Sequence, residues 1–167
     1  MDTIKLALPH SFIRELTLLT WREVLYGLDN ELLAPGAAVD FAREQIALTD
    51  APSATLLELG AVGKGEPTRS LVEHLATAEP APSGDDVRDK WLYLVLAHVF
   101  EHRSSYPSPL LLVEQVYDDF GYPPQIASFV RYMPTDDPDL GSRELNEQRL
   151  VEKWKAYLDE ASAVLSQ

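Results

Sequence analysis

The chain has 167 residues, 46% of them hydrophobic and 25% charged, and its 14 Lys and Arg against 27 Asp and Glu give a net charge of −13. This length and balance predict one globular domain with a sizeable core. The negative charge argues against nucleic-acid binding and favours a basic protein partner, although acidity also serves solubility alone.

The sequence has no cysteine, which excludes disulfide frameworks, thiolate zinc sites and cysteine nucleophiles. Its longest apolar run, residues 91–100, is about half of what a membrane span requires. The N-terminal residues lack the basic and apolar regions of a signal peptide. We therefore expect a cytoplasmic protein without membrane contact.

Turn and cap signals predict the helices of the N-terminal half. Thr20 and Glu23 form a capping-box pattern at the start of TWREVLYGL. Pro35 is expected in the first turn of the next helix, and Ser53 is expected to cap ATLLELGAV. Pro67 is expected to open TRSLVEHLATA.

The C-terminal half follows a predicted flexible connection at 80–86. An apolar helix is predicted from about Asp86 to Arg103, with shorter helices near 109–120 and 124–132. The closing helix is predicted over about 142–165. Its expected buried stripe consists of Leu150, Trp154, Tyr157, Leu158, Ala161 and Leu165.

No segment alternates apolar and polar residues in the way a strand does. The predicted fold class is all-α, with residues 1–167 forming a single compact array of about eight helices. Because prolines recur every 13 to 26 residues through much of the chain, short α-solenoid-like helical repeats remain the alternative.

One stretch matches a catalytic pattern. The sequence HVFEH at 98–102 fits H-x-x-E-H, in which a helix holds zinc through two histidines and presents a catalytic glutamate. His98 and His102 are about 40° apart on a helix, and Glu101 is about 60° from His98. However, zinc needs a third protein ligand, and the 65 residues that follow show no matching motif. The alternative is that His98 borders the core and His102 ends the helix as a favourable cation.

Other catalytic patterns are weaker. The glycine-rich loop at 60–70 lacks the order of a phosphate-binding loop, and no serine lies in a nucleophile elbow. Adjacent aspartates at 85–86, 118–119 and 136–137 are typical of solvated loops. We therefore predict no catalytic residue and no cofactor.

The segment 117–139 interleaves tyrosines with aspartates. Aromatic anchors within an acidic rim suit the capture of a basic partner. The alternative is that the aromatic residues are core and the aspartates cap helices and turns. The partner-binding candidates are Asp118, Asp119, Tyr122, Arg131, Tyr132, Asp136, Asp137 and Asp139.

The words LLTWREVLYG (18–27), YDDFGYP (117–123) and FVRYMP (129–134) resemble a bacterial domain family of unknown function. That resemblance brings no activity or site residue. Small acidic bacterial families of this kind often contain immunity proteins, which block basic toxin domains. We therefore expect a non-catalytic acidic binding protein, and the immunity type is the kind that this resemblance suggests. The alternatives are a metal-dependent hydrolase centred on His98, Glu101 and His102, and a self-assembling helical scaffold.

Overall fold

The computed structural model describes residues 6–81 and 84–165. Within these ranges the fold is all-α, as predicted, and the only β pairing is an isolated bridge between Leu8 and Leu33. The α-helices are α1 (His10–Leu16), α2 (Trp21–Asp29), α3 (Ala37–Leu48), α4 (Ala54–Gly60), α5 (Arg69–Thr77), α6 (Gly84–Glu101), α7 (Pro109–Asp119) and α8 (Arg143–Leu165). Two 3₁₀ helices span Arg103–Ser105 and Pro124–Phe129. No helix in the described ranges is both long and apolar enough to cross a membrane.

The chain divides into two compact units where residue 91 meets residue 92, within α6. We call them the N-terminal unit, which ends at Trp91, and the C-terminal unit, which begins at Leu92. Beside this division into two units, the single domain expected over 1–167 stays a prediction. Of the predicted connection at 80–86, residues 82 and 83 lie outside the described residues, and residues 84–86 are the first turn of α6.

Side-chain caps set the helix starts of the N-terminal unit. The capping box of α2 is present, since Thr20 Oγ1 accepts from the Glu23 amide at 3.2 Å and Glu23 Oε1 accepts from the Thr20 amide at 2.8 Å. Ser53 caps α4 as predicted. The expectation for Pro35 was wrong, because Gly36 at φ +83° precedes the first residue of α3 and Pro35 lies outside the helix.

Trp91, the last residue of the N-terminal unit, is fully buried. Its indole Nε1 donates to the Glu23 carbonyl oxygen at 2.8 Å. The aromatic ring lies against Gly27 of α2, where an added Cβ would be 2.4 Å from Trp91 Cζ2. The glycine therefore allows helix α2 to approach the tryptophan closely.

Stacked rings organise the core of the C-terminal unit. Trp154 of α8 is fully buried, with its ring centroid 6.4 Å from that of Phe129 in a stacked arrangement and 5.1 Å from that of Phe100 edge-on. The α-helix predicted over 124–132 is instead a 3₁₀ helix that ends at Phe129, and Val130 is extended. Pro123 and Pro124 stand at the N-cap and the first position of this 3₁₀ helix, where the amides that they lack would have no partner within a helix.

The predicted stripe of α8 is buried only in part. Trp154 is the one member that is buried, while the other five are half-buried. The closing helix therefore keeps apolar surface that the core of its own unit does not cover.

Candidate functional site

Three tyrosines of the C-terminal unit share one aromatic cluster. Tyr117 of α7 is buried, with 5% of its surface exposed. The rings of Tyr122 and Tyr132 meet it edge-on, with centroids 5.4 Å and 6.1 Å away. Both outer rings are largely exposed, Tyr122 by 60% and Tyr132 by 54%. The cluster thus holds two accessible phenol rings on a buried base.

The backbone after α7 aims Tyr122 outward. Gly121 and Tyr122 both have positive φ, +75° and +60°. The Tyr122 amide donates to the Tyr117 carbonyl oxygen at 2.8 Å, which closes the end of the helix. A tyrosine in this conformation, directly before Pro123, costs about 1–3 kcal/mol, and such strain concentrates at functional positions.

The phenol of Tyr132 is tied to an aspartate. Tyr132 Oη donates to Asp118 Oδ1 at 2.7 Å, and this hydrogen bond is the main reason why the pKa of Tyr132 is raised. The phenol therefore remains a donor at neutral pH, and its bond orients the Asp118 carboxylate. Asp119 follows on the same helix end and is half-buried. We call Asp118, Asp119, Tyr122 and Tyr132 the tyrosine–aspartate surface.

The guanidinium of Arg131 bonds two glutamates of its own unit. Its Nε donates to Glu114 Oε1 at 2.7 Å, and its Nη1 donates to Glu147 Oε1 at 3.3 Å. The hydrogen bond to Glu114, opposed by burial, raises the pKa of the guanidinium. This half-buried residue connects α7 to α8, so its geometry fits a structural role.

The aspartates after Tyr132 divide into two groups. Asp137 is paired with Lys153 and lies 3.8 Å from Arg149 Nε, and the Lys153 bond lowers its pKa. Asp139 accepts from Asn146 and from the Gly141 amide, both at 2.9 Å, and these bonds lower its pKa. These two carboxylates fasten the loop before α8 to that helix. Asp136 is exposed and makes no bond or ion pair among the described residues.

The HVFEH stretch forms the end of α6. The imidazole rings of His98 and His102 lie against each other at a tilt of 31°, with centroids 4.3 Å apart. His102 Nδ1 lies 2.9 Å from the His98 carbonyl oxygen and donates to it. Burial and the neighbouring His102 lower the pKa of His98. In residues 6–81 and 84–165, no group of three or more His, Asp or Glu side chains could hold a metal ion. Among the described residues, His98 and His102 are thus not joined by a third side chain that could hold zinc with them.

The charge of the C-terminal unit reinforces the tyrosine–aspartate surface. Residues 92–167 contain twelve Asp and Glu against six Lys and Arg, a net charge of −6. Five of the six cations form ion pairs within the unit, and Arg103 lies 3.9 Å from the centroid of Phe100. The paired cations are Arg131, Arg143, Arg149, Lys153 and Lys155. The excess negative charge is consequently available to an outside cation.

Fold and site together define an acidic, all-helical protein with a local aromatic and carboxylate surface. The sequence matches the family described as "Uncharacterized protein conserved in bacteria (DUF2247)" over residues 10–162, and the chain belongs to that family. The resemblance of the quoted words to a bacterial family of unknown function is thereby confirmed. No curated protein and no solved structure matches the chain.

Four of the eight predicted partner-binding residues form the tyrosine–aspartate surface. The other four do not belong to it: Arg131, Asp136, Asp137 and Asp139. Sequence reasoning did not identify Tyr117 as the base of the site, although its apolar spacing with Val113 on α7 is a usable signal of burial. It also predicted all six residues of the α8 stripe to be buried, because an apolar stripe indicates burial whether or not anything covers it.

Proposed function

We propose that this chain is a non-catalytic binding protein that captures a basic protein partner through the tyrosine–aspartate surface. The main support for this proposal is that the exposed rings of Tyr122 and Tyr132 both pack edge-on against the buried Tyr117. Asp118 lies next to them and accepts a hydrogen bond from Tyr132. Solvent-exposed rings that are already immobilised lose little conformational entropy when a partner covers them.

The chemistry of the surface selects a cation. Tyrosine faces attract guanidinium and ammonium groups, and the Asp118 carboxylate supplies a charge-assisted acceptor next to them. The bond from Tyr132 uses one oxygen of Asp118, and the carboxylate has a second oxygen for the partner. Arginine fits best, because its planar fork both stacks on a ring and bonds a carboxylate.

The immunity type of protein fits this chemistry best. A toxin domain that cleaves nucleic acid is basic where it binds its substrate, and a chain of net charge −13 would reach that region quickly and cover it. Such a role requires no cofactor and no catalytic residue. The cytoplasm is the proposed location, since a nuclease toxin acts there and the chain has no cysteine.

The test uses the protein encoded by the gene adjacent to this one, together with a labelled octa-arginine peptide as a simple cationic probe. Calorimetry and fluorescence anisotropy should show binding that weakens steeply between about 0.05 and 0.5 M salt. Tyr122→Ala should weaken binding at least about tenfold, as expected of a central aromatic anchor.

A matched pair of variants, each of which neutralises one aspartate, tests whether the position of the charge matters. Asp118→Asn should weaken binding of both probes, whereas Asp159→Asn, an exposed site on α8 that pairs with Lys155, should leave it within about twofold. Binding that ignores salt, or an equal effect of the two substitutions, would contradict the proposal.

A further inference from the structure

An open groove runs between α8 and the 3₁₀ helix Pro124–Phe129. Its volume is about 510 Å³, and the buried ring of Phe129 forms part of its floor. The α8 wall consists of Lys153, Ala156, Tyr157, Glu160, Ala161 and Val164. Val164 leaves 70% of its surface exposed. Among the described residues of its own unit, none covers Val164, so apolar lining of the groove faces solvent.

The wall residues follow the spacing of a packed helix face. Positions 153, 156, 157, 160, 161 and 164 recur at intervals of three and four, so they form one stripe at about 100° per residue. Trp154 borders this stripe, about 20° from Ala161 around the helix, and is fully buried. On helix α8 the buried Trp154 is therefore next to a stripe whose Ala156, Glu160 and Val164 are exposed.

The charges on the stripe are arranged for a second copy of the same helix. Lys153 and Glu160 stand seven residues apart, on either side of Ala156 and Tyr157. If two α8 helices lie antiparallel about a twofold axis between Ala156 and Tyr157, each Lys153 faces the other copy's Glu160. The same register sets the small Ala156 against the large Tyr157. One pairing thus satisfies charge and volume together.

We infer that two copies of this chain associate through this groove, with their α8 helices antiparallel. The contact is isologous, so it closes as a dimer and does not propagate. Lys153 also bonds Asp137 in its own chain, and its ammonium has three donors, so one can serve each carboxylate. Alanines at the centre let the two helices approach closely.

Salt should affect this dimer in the opposite sense to the binding of a basic partner. Each copy has a net charge of −13, so screening at higher ionic strength relieves repulsion between the copies. The apolar contact is insensitive to screening, and the exposed ion pairs contribute little energy. Self-association should therefore strengthen from about 0.05 to 0.5 M salt.

The experiment is sedimentation equilibrium of the full chain from about 10 to 500 µM at 0.15 M salt, with variants that reverse one charge. Glu160→Lys should weaken dimerisation more than about tenfold, since it sets like charges in contact. Asp159→Lys makes the same charge change one residue away, outside the stripe, and should leave dimerisation within about threefold. Circular dichroism checks that both variants keep their helices.

A mixture of two charge-reversal variants gives the decisive test of the antiparallel register. Lys153→Glu alone should also fail to dimerise, but an equimolar mixture with Glu160→Lys should form a heterodimer, because each Glu then faces a Lys. A wild-type chain that stays monomeric throughout, assemblies larger than dimers, equal losses in Glu160→Lys and Asp159→Lys, or no heterodimer would each overturn the inference.

Discussion

The two units differ in how each surrounds its buried tryptophan. Trp91 is packed against Gly27 and donates its indole N–H to the Glu23 carbonyl oxygen. Trp154 is equally buried, yet its Nε1 has no hydrogen-bond acceptor among the described residues, and aromatic rings surround it. A hydrogen bond thus helps to hold Trp91 in the N-terminal core, whereas Trp154 in the C-terminal core is held by the packing of aromatic rings.

The same difference extends to the carboxylates. In the N-terminal unit, Glu79 accepts from the amides of Trp21 and Arg22 at the start of α2, and Glu23 pairs with Lys90 at 3.1 Å. These acids serve the helices of their own unit. In the C-terminal unit, besides the carboxylates that hold the loop before α8, Asp118 accepts a hydrogen bond from an exposed phenol. Acids that satisfy helix ends stabilise the fold, whereas acids next to exposed rings remain available for binding.

The largest effects should come from truncating either tryptophan. Trp91→Ala and Trp154→Ala should each lower the free energy of unfolding by about 3–5 kcal/mol, because each leaves a cavity in a packed core. Urea unfolding followed by circular dichroism measures this. A loss below about 1 kcal/mol at either position would mean that the ring does not organise its unit.

Crowding at Trp91 should make Gly27→Ala costly. The added methyl meets a buried ring at 2.4 Å, and overpacking of this kind costs about 1–3 kcal/mol even though alanine favours a helix. Gly60→Ala is the matched control, because its methyl would crowd the flexible Cδ1 tip of Ile46 at 2.7 Å and otherwise lie 3.7 Å from Arg43 Cγ. Thermal unfolding should show a clear loss for the first variant and little change for the second.

Conservative replacement should separate the two tryptophans. Trp91→Phe removes the donor to Glu23 and leaves a buried carbonyl oxygen without that bond, at a cost of about 1–3 kcal/mol beyond the lost volume. Trp154→Phe removes an N–H that has no acceptor, so it should cost less. Chemical denaturation of the pair gives the difference directly. Equal costs would show that the two cores are held alike.

Local sequence signals predicted the helices well and the surfaces poorly. The capping box at Thr20 and the proline at position 109 each fix a helix start through nearby atoms, and both lie where expected. The cluster on Tyr117 depends on residues up to fifteen positions apart and on a positive φ at Tyr122. Tertiary packing decides which of several aspartates bonds a cation and which bonds a phenol, and a single sequence does not record it.

The smallest effect should be the loosening, at acidic pH, of the loop that Asp137 and Asp139 hold to α8. Asp137 and Asp139 have lowered pKa values, so their contribution is fully present above about pH 4 and is lost as pH falls through the lowered values. NMR of the Gly141 amide, which donates to Asp139, should follow that loss. Asp139→Asn should remove the pH dependence of this signal, while Asp136→Asn should retain it, because Asp136 makes no such bond. A Gly141 amide that moves identically in both variants would separate the loop from these carboxylates and leave the C-terminal unit held by its aromatic rings.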